Sequence, residues 1–167
     1  NTYAAIPNVQ ISYEVHVSSK GWMGSVSEGT IAGTTGQSKA IEALAINTSG
    51  NSNLGISYSV YQKSNGWKTT TGGNIAGVTG KSLPIYGLKM NLTGSDASKY
   101  SVYYRVYSQT YGWLDWVKDG QETGKISESK RLESIQIILE PKTYTHSSPT
   151  ITNIYRTESN GTCDTYI

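Results

Sequence analysis

Phenylalanine is absent from this chain, whose aromatic side chains are thirteen tyrosines and four tryptophans. A core that needs only an aromatic ring can use phenylalanine, which carries no hydroxyl group in search of a partner. The exclusive use of tyrosine therefore predicts that many of these rings have tips that meet water or a ligand.

Charged residues are also scarce, at 16% of 167 residues, and the formal net charge is only +2. No run of basic residues is longer than Lys130-Arg131. Because nucleic acids and anionic membranes are bound by clustered Lys and Arg, the sequence predicts neither as a partner. No apolar run approaches the ~18 residues that a membrane span needs.

Residues that bind metals or act as nucleophiles are few. The single cysteine, Cys163, cannot form an internal disulfide, and His16 and His146 have no Cys or His neighbours at metal-ligand spacing. No Gly-x-Ser-x-Gly motif and no phosphate-binding Gly-Lys-Ser/Thr motif occurs. Asp96, Asp115 and Asp119 lie in turns but lack the dense carboxylate spacing of a calcium loop. We therefore predict no metal and no cofactor.

What the chain does contain is an internal repeat. The pairs Gly21-Trp22, Gly66-Trp67 and Gly112-Trp113 lie 45 and 46 residues apart. A period of this length predicts a supersecondary unit repeated around one shared core, here in a single domain that spans 1–167. Beyond the third unit, 141–167 is predicted to be an extension that supplies one extra strand. The predicted units are 9–47, 54–92 and 99–140.

Each unit shows the alternation of β-strands. An alternating segment precedes each Gly-Trp pair, with Tyr13, Tyr58 or Tyr104 eight residues before the glycine. Alternation places that tyrosine and the aliphatic residues on one face of a strand. A Gly-rich loop and a second alternating run complete the unit, so we predict an all-β antiparallel domain with three strands per unit.

Three similar sheets can bury their apolar faces together by closing around a pseudo-threefold axis. A triangular β-prism and a β-trefoil both satisfy this condition. A trefoil needs four strands per unit, so the count of three favours the prism.

The first unit contains four characteristic segments, which are Tyr13-Glu14-Val15-His16-Val17, Gly21-Trp22, Gly33-Thr34-Thr35-Gly36-Gln37-Ser38 and Ile41-Glu42-Ala43. Together these segments resemble the clostridial hydrophobic-W repeat. The match to that repeat is most complete in this first unit.

The resemblance covers roughly residues 9 to 140. The third unit departs from it at Ser127, where the first unit has the second loop glycine, and the second unit departs at Pro84 and Tyr86. The resemblance implies a secreted or surface-attached protein of Gram-positive anaerobes, often with repeats in tandem triplets beside adhesive or polysaccharide-degrading modules. It implies no catalytic residues, so the chain is not expected to be an enzyme.

The tryptophans offer two interpretations. Trp22, Trp67 and Trp113 recur in every unit, which favours a place in the shared core, but an indole can also lie flat on a sugar ring. Trp116 occurs in the third unit alone, where the others have Ser25 and Thr70. The common fold does not need it, which leaves exposure for a ligand and local packing as alternatives.

Because repeated copies begin equivalent, extra aromatics indicate which unit is specialised for a ligand. The third unit has the most of them, with polar neighbours able to bond sugar hydroxyls. The predicted ligand-binding residues are Trp113, Trp116, Tyr111, Tyr107, Tyr103, Asp115 and Gln109, together with Trp67, Tyr61 and Trp22.

A glycosidase needs two carboxyl groups, and Glu42 and Glu133 are the candidates. They occupy equivalent positions in separate units, whereas acid and nucleophile need different environments, so we interpret them as strand-end carboxylates that bond loop amides. The sequence favours a non-catalytic carbohydrate-binding or adhesion module at the cell surface, with a polysaccharide or cell-wall glycan as partner. The alternative is a structural spacer or a module that binds other surface proteins.

Overall fold

A computed structural model describes residues 9–142, so the extra strand predicted after the third unit lies largely outside the described residues. This part of the chain is almost entirely β-structure, with two short 3-10 helices, Ala97–Lys99 and Ile126–Glu128. Its strands are β1 Gln10–Val17, β2 Gly21–Trp22, β3 Val26–Ser27, β4 Ala32–Gly33, β5 Ile41–Ser49, β6 Gly55–Gln62, β7 Gly66–Thr71, β8 Ile75–Gly77, β9 Ile85–Thr93, β10 Tyr100–Ser108, β11 Gly112–Trp113, β12 Val117–Lys118 and β13 Leu132–Pro141.

Each repeat forms one antiparallel sheet around a long first strand. In the first sheet β1 pairs with β2 and β3 on one side and with the closing strand β5 on the other. In the second sheet β6 pairs with β7 and β9, and in the third sheet β10 pairs with β11, β12 and β13. The all-β repeat architecture predicted from the alternation is confirmed.

The Gly-rich loops also form strands, which the sequence interpretation missed. Strand β4 of the first repeat pairs with β13 of the third, and β8 of the second pairs with β5 of the first. In the third repeat Thr123 forms a bridge with Leu88 of β9. The first and second repeats each add a strand to the sheet of another repeat, and the third repeat adds a single bridge. These exchanges join the three repeats in a closed ring.

A glycine in each loop allows this close approach. Gly77 has φ +101°, and a Cβ atom there would overlap the backbone carbonyl oxygen of Glu42. Gly33 and Gly124 also have positive φ angles, and a Cβ atom there would overlap the backbone carbonyl oxygen of Glu133 and of Tyr86, respectively. The positive φ and the contact with backbone both require glycine, so the first loop glycine recurs because one repeat must dock on the next.

The inner faces of the three sheets form one core. Side chains on alternate positions of β1, β6 and β10 point inward, and a single cluster of buried residues draws members from all three sheets. The sheets stay separate, since no strand pairing runs continuously around the core. Three antiparallel sheets, of five, five and three strands, face this one core, as expected for the predicted all-β domain of three repeats.

Three buried tyrosines join the repeats inside this core. The Tyr58 hydroxyl accepts a hydrogen bond from the backbone N–H of Ile46 in the first repeat (3.1 Å) and donates to the carbonyl of Asn74 in its own loop. Tyr13 and Tyr104 repeat the pattern, so these ring tips meet backbone groups instead of water or a ligand. Their partners are Ile137 and Thr30 for Tyr13, and Met90 and Gln121 for Tyr104.

Candidate ligand-binding surface

The recurring tryptophans lie on the outer faces of the sheets, and none belongs to the shared core. Trp22 pairs with His16, Trp67 with Tyr61 and Trp113 with Tyr107 on the neighbouring strand. In each pair the rings meet edge to face, with centroids 5.4 to 5.6 Å apart. The interpretation of these tryptophans as core residues is therefore wrong.

The third sheet uses its aromatic residues for packing. Trp116 is only 7% exposed. Its partner is Arg105, which is fully buried and lies with its guanidinium carbon 4.4 Å from the Trp113 ring centre and 4.9 Å from that of Trp116. Gln136 completes the arrangement by accepting a hydrogen bond of 2.8 Å from the Arg105 Nε. Of the two alternatives for Trp116, exposure is therefore wrong and local packing against Arg105 is found.

Other candidates in the third repeat also have partners within the protein. Tyr111 is 45% exposed, but the Lys125 ammonium lies 4.6 Å from its ring centre and its hydroxyl donates to Glu128. The side chain of Gln109 accepts a hydrogen bond from the backbone N–H of Arg131. These contacts tie the turn before Trp113 to the loop before β13.

Three further candidates lie on the outer faces and are half-buried. Tyr103 has the Lys118 ammonium 5.7 Å from its ring centre, and Tyr61 and Tyr107 support the neighbouring tryptophans edge-on. Asp115 is exposed in the loop between β11 and β12. Most of the aromatic residues predicted to form one binding surface in the third repeat thus have their rings in contact with other side chains of that repeat.

The second sheet covers its tryptophan in a similar way. The Lys89 ammonium lies 4.3 Å from the Trp67 ring centre. Both Trp67 and Ile126, from the loop of the third repeat, lie close over Gly87, where a Cβ atom would overlap Ile126. Trp67 therefore contributes to the junction between the second and third repeats.

The first sheet leaves its tryptophan open. Trp22 is 38% exposed, and the neighbouring Met23 is also exposed. The edge-to-face partner of Trp22, His16, also contacts the buried Glu42, with its Nδ1 atom 3.2 Å from a carboxylate oxygen. The orientation of the two groups does not meet hydrogen-bond geometry. Among the described residues, no cation lies over the Trp22 ring.

Glu42 and Glu133 each contact a basic side chain of their own repeat, and within 9–142 neither accepts the predicted hydrogen bond from a loop amide. Glu133 accepts a hydrogen bond of 2.9 Å from the Arg131 Nε, which parallels the contact of Glu42 with His16. Both carboxylates are buried, and each lies in a different sheet. The ion pair of Glu133 with Arg131 is a structural role for a buried carboxylate.

The turn aspartates are likewise engaged by the chain. Asp96 has a pKa below its usual range, chiefly because it accepts a hydrogen bond from the Asn51 amide and also because it contacts Lys99. Asp119 accepts a hydrogen bond of 3.0 Å from the backbone N–H of Val102. Within 9–142 no three or more His, Cys, Asp and Glu side chains form a group that could hold a metal ion, and no helix is long and apolar enough to cross a membrane.

Sequence reasoning missed the residues around Trp22. Glu14 and His16 have outward parity on β1, and Ala43 and Ala45 have it on β5. Aligning the three units position by position would have shown that the first unit has a carboxylate where the third has Arg105. A count of aromatics points to the third repeat and does not detect this difference in charge.

Three sheets of one repeated unit, joined by exchanged loop strands and each with a tryptophan on its outer face, define a tandem-repeat β-module. The family model described as "Clostridial hydrophobic W" matches residues 16–50, 63–94 and 107–141, and the chain belongs to this family. No curated protein and no solved structure matches the chain.

Proposed function

We propose that this chain is a non-catalytic carbohydrate-binding module that acts outside the cell, at the surface or after secretion, on a polysaccharide or a cell-wall glycan. The observation that carries the proposal is the outward position of the tryptophan in every repeat. An outward tryptophan that is exposed, as Trp22 is in the first repeat, presents an aromatic face to a ligand.

The geometry suits a sugar ring. An indole face offers dispersion contacts and apolar burial to the C–H groups of a pyranose. In each repeat the edge-to-face partner fixes the orientation of the tryptophan, for example His16 beside Trp22 with an interplanar angle of 80°. A fixed ring loses little side-chain freedom on binding, which favours affinity.

Trp22 is the strongest candidate for direct contact because Lys89 and Arg105 already lie over the other two rings. Polar side chains surround the outer faces, among them Ser12 and Ser27, which pair across β1 and β3. Hydroxyl groups of this kind exchange hydrogen bonds with sugar hydroxyls without the cost of burying a charge.

A second candidate function is a structural spacer or a module that binds other surface proteins. It is favoured by the covered state of Trp67 and Trp113, since a cation over the ring and a neighbour from the next repeat are features of packing. The two functions differ in what the open Trp22 ring contacts.

A panel of insoluble and soluble glycans, tested by pull-down and by isothermal titration, separates these functions. We expect at least one glycan to bind and Trp22→Ala to weaken that binding by ~1–3 kcal/mol, as for the loss of one aromatic anchor. The matched control is Ile31→Ala, which removes an exposed apolar side chain next to β4, the strand that pairs with the third sheet. Binding to no glycan would support the spacer.

A further inference from the structure

The second and third repeats show what each tryptophan ring accommodates. The ammonium of Lys89 lies over Trp67, and the guanidinium of Arg105 lies over Trp113. The two cations reach the ring from paired positions on neighbouring strands, since Lys89 pairs with Ser59, and Arg105 pairs with Gln136. The outer face of a repeat thus holds a positive charge against its indole.

The first repeat has the ring without the cation. Its residues at the same paired positions are Glu14 and Ala45. Glu14 precedes His16 by two residues, just as Arg105 precedes Tyr107, so a carboxylate stands where the third repeat has its guanidinium. Within 9–142, Glu14 forms no ion pair. Ala45 is too short to reach the ring.

We propose that Trp22 and Glu14 form a binding site for a protonated amino sugar, a pyranose that carries a free amine. The sugar ring stacks on the Trp22 indole, and its ammonium group occupies the position that Lys89 and Arg105 fill in the other repeats, with Glu14 as counter-ion. This inference rests on the proposed carbohydrate function and specifies the class of glycan, a de-N-acetylated one.

Charge and space around Trp22 favour this ligand. The neighbouring His16 ring is directed at the Glu42 carboxylate, 3.2 Å from its Nδ1 atom, and not at Glu14. On β5 the half-buried Ala45 pairs with Glu14, and its methyl group is too small to cover the carboxylate. Two residues along a strand span about 7 Å, a distance that a pyranose with one substituent bridges between Trp22 and the level of Glu14.

The test compares a glucosamine tetramer with the N-acetylglucosamine tetramer and a glucose tetramer, by isothermal titration with the whole chain. We expect the glucosamine tetramer to bind about fivefold more tightly than the N-acetylated one, with an advantage that shrinks as salt is added. Glu14→Gln should remove that advantage and leave binding of the N-acetylated tetramer unchanged.

A second variant copies the third repeat into the first. Glu14→Arg should place a guanidinium over Trp22 and weaken glucosamine binding about tenfold or more, since the site is then filled by the protein and has lost its counter-ion. The control is Glu122→Gln, which removes a carboxylate that contacts Lys89 beside the second sheet. Circular dichroism verifies that each variant is folded.

The outcomes separate the two proposals. Equal affinity for the amine and N-acetyl tetramers, with Glu14→Gln without effect, overturns the amino-sugar site and leaves carbohydrate binding intact. Glucosamine binding that survives Trp22→Ala also overturns the site. Binding of a lysine-containing peptide in place of every glycan, or of no ligand at all, overturns both proposals.

Discussion

The inner and outer faces of the same three sheets follow the repeat to different degrees. Inside, Tyr13, Tyr58 and Tyr104 make the same two hydrogen bonds in every repeat. Outside, Trp67 and Trp113 each have a cation over the ring, whereas Trp22 is open. Inner positions are held alike because each repeat must dock on the next, while outer positions are free to diverge.

The largest loss of stability is expected from substitution of the loop glycines that dock on another repeat, Gly33, Gly77 and Gly124. Gly77→Ala should lower the free energy of unfolding by ~3 kcal/mol or more, because the new Cβ overlaps the Glu42 backbone at a strained positive φ. The control is Gly36→Ala, where φ is also positive (+70°) but no atom lies within 4 Å, so the cost should be ~1 kcal/mol. Equal costs in urea denaturation would contradict a docking role for Gly77.

The outer face of the third repeat should behave as packed structure. Trp116→Ala should destabilise the domain by ~3 kcal/mol, since it opens a cavity and uncovers the buried Arg105 guanidinium. Its positional counterpart in the first repeat, Ser25, is exposed, and Ser25→Ala should change stability by less than ~0.5 kcal/mol. An unchanged midpoint for Trp116→Ala in denaturant would show that the cover is dispensable.

The core tyrosines should make the interior sensitive to alkali. Burial raises the pKa of Tyr104 to about 12 and raises the pKa of Tyr13 and Tyr58. Above the unfolded pKa of about 10 the folded state binds more protons than the unfolded state, so stability is complete below that pH and falls as pH rises. Tyr104 alone should account for ~2 kcal/mol of the loss by about pH 12.

Denaturant unfolding at a series of pH values checks this expectation. Tyr104→Phe is the control, because it removes one ionising hydroxyl and should make the decline less steep. Stability that stays constant through the alkaline range would contradict the buried, hydrogen-bonded state of these hydroxyls.

Removal of one core hydroxyl tests whether the three repeats are equivalent in energy as well as geometry. Tyr58→Phe should cost ~1–2 kcal/mol, because the N–H of Ile46 and the carbonyl of Asn74 each lose a partner. Tyr13→Phe and Tyr104→Phe should agree with it within ~1 kcal/mol. A cost confined to one repeat, measured by thermal unfolding, would show that the symmetry is geometric only.

The smallest stability effect is expected on the open outer face. Trp22→Ala should cost less than ~1 kcal/mol, because the ring is partly in solvent and carries no cation. Trp67→Ala should cost more, ~2 kcal/mol, since Lys89 and Gly87 pack against that ring. Reversal of this order in thermal denaturation would remove the distinction between covered and open tryptophans.

Much of the fold was readable from local sequence. The constant spacing from Tyr13, Tyr58 and Tyr104 to the Gly-Trp pair predicts both the repeat and the inward tyrosine, since alternation assigns each residue to a face of its strand. Even the shape of the hairpins follows from length. Gly73 follows Gly66 by seven positions, and strand β7 between them is continuous. In the other two repeats the corresponding glycines are eight positions apart, and the hairpin strand is broken into two short strands.

The candidate site could be predicted only in part. Parity placed Tyr103 and Tyr107 on the outer face, but it does not tell whether an outward side chain is covered. That depends on partners far along the chain, as when Gln136 donates to the Gly29 carbonyl from 107 residues away while it accepts from Arg105. A count of aromatics could not detect this cover.

The sequence by itself determined three β-units, their long first and closing strands and the faces on which the strand tyrosines lie, because these properties follow from local periodicity. Only the tertiary structure decided that the loops exchange between repeats and that Trp116 is buried while Trp22 is open. Coverage of a surface arises from contacts between residues that are distant in sequence, and no periodicity within one unit encodes those contacts.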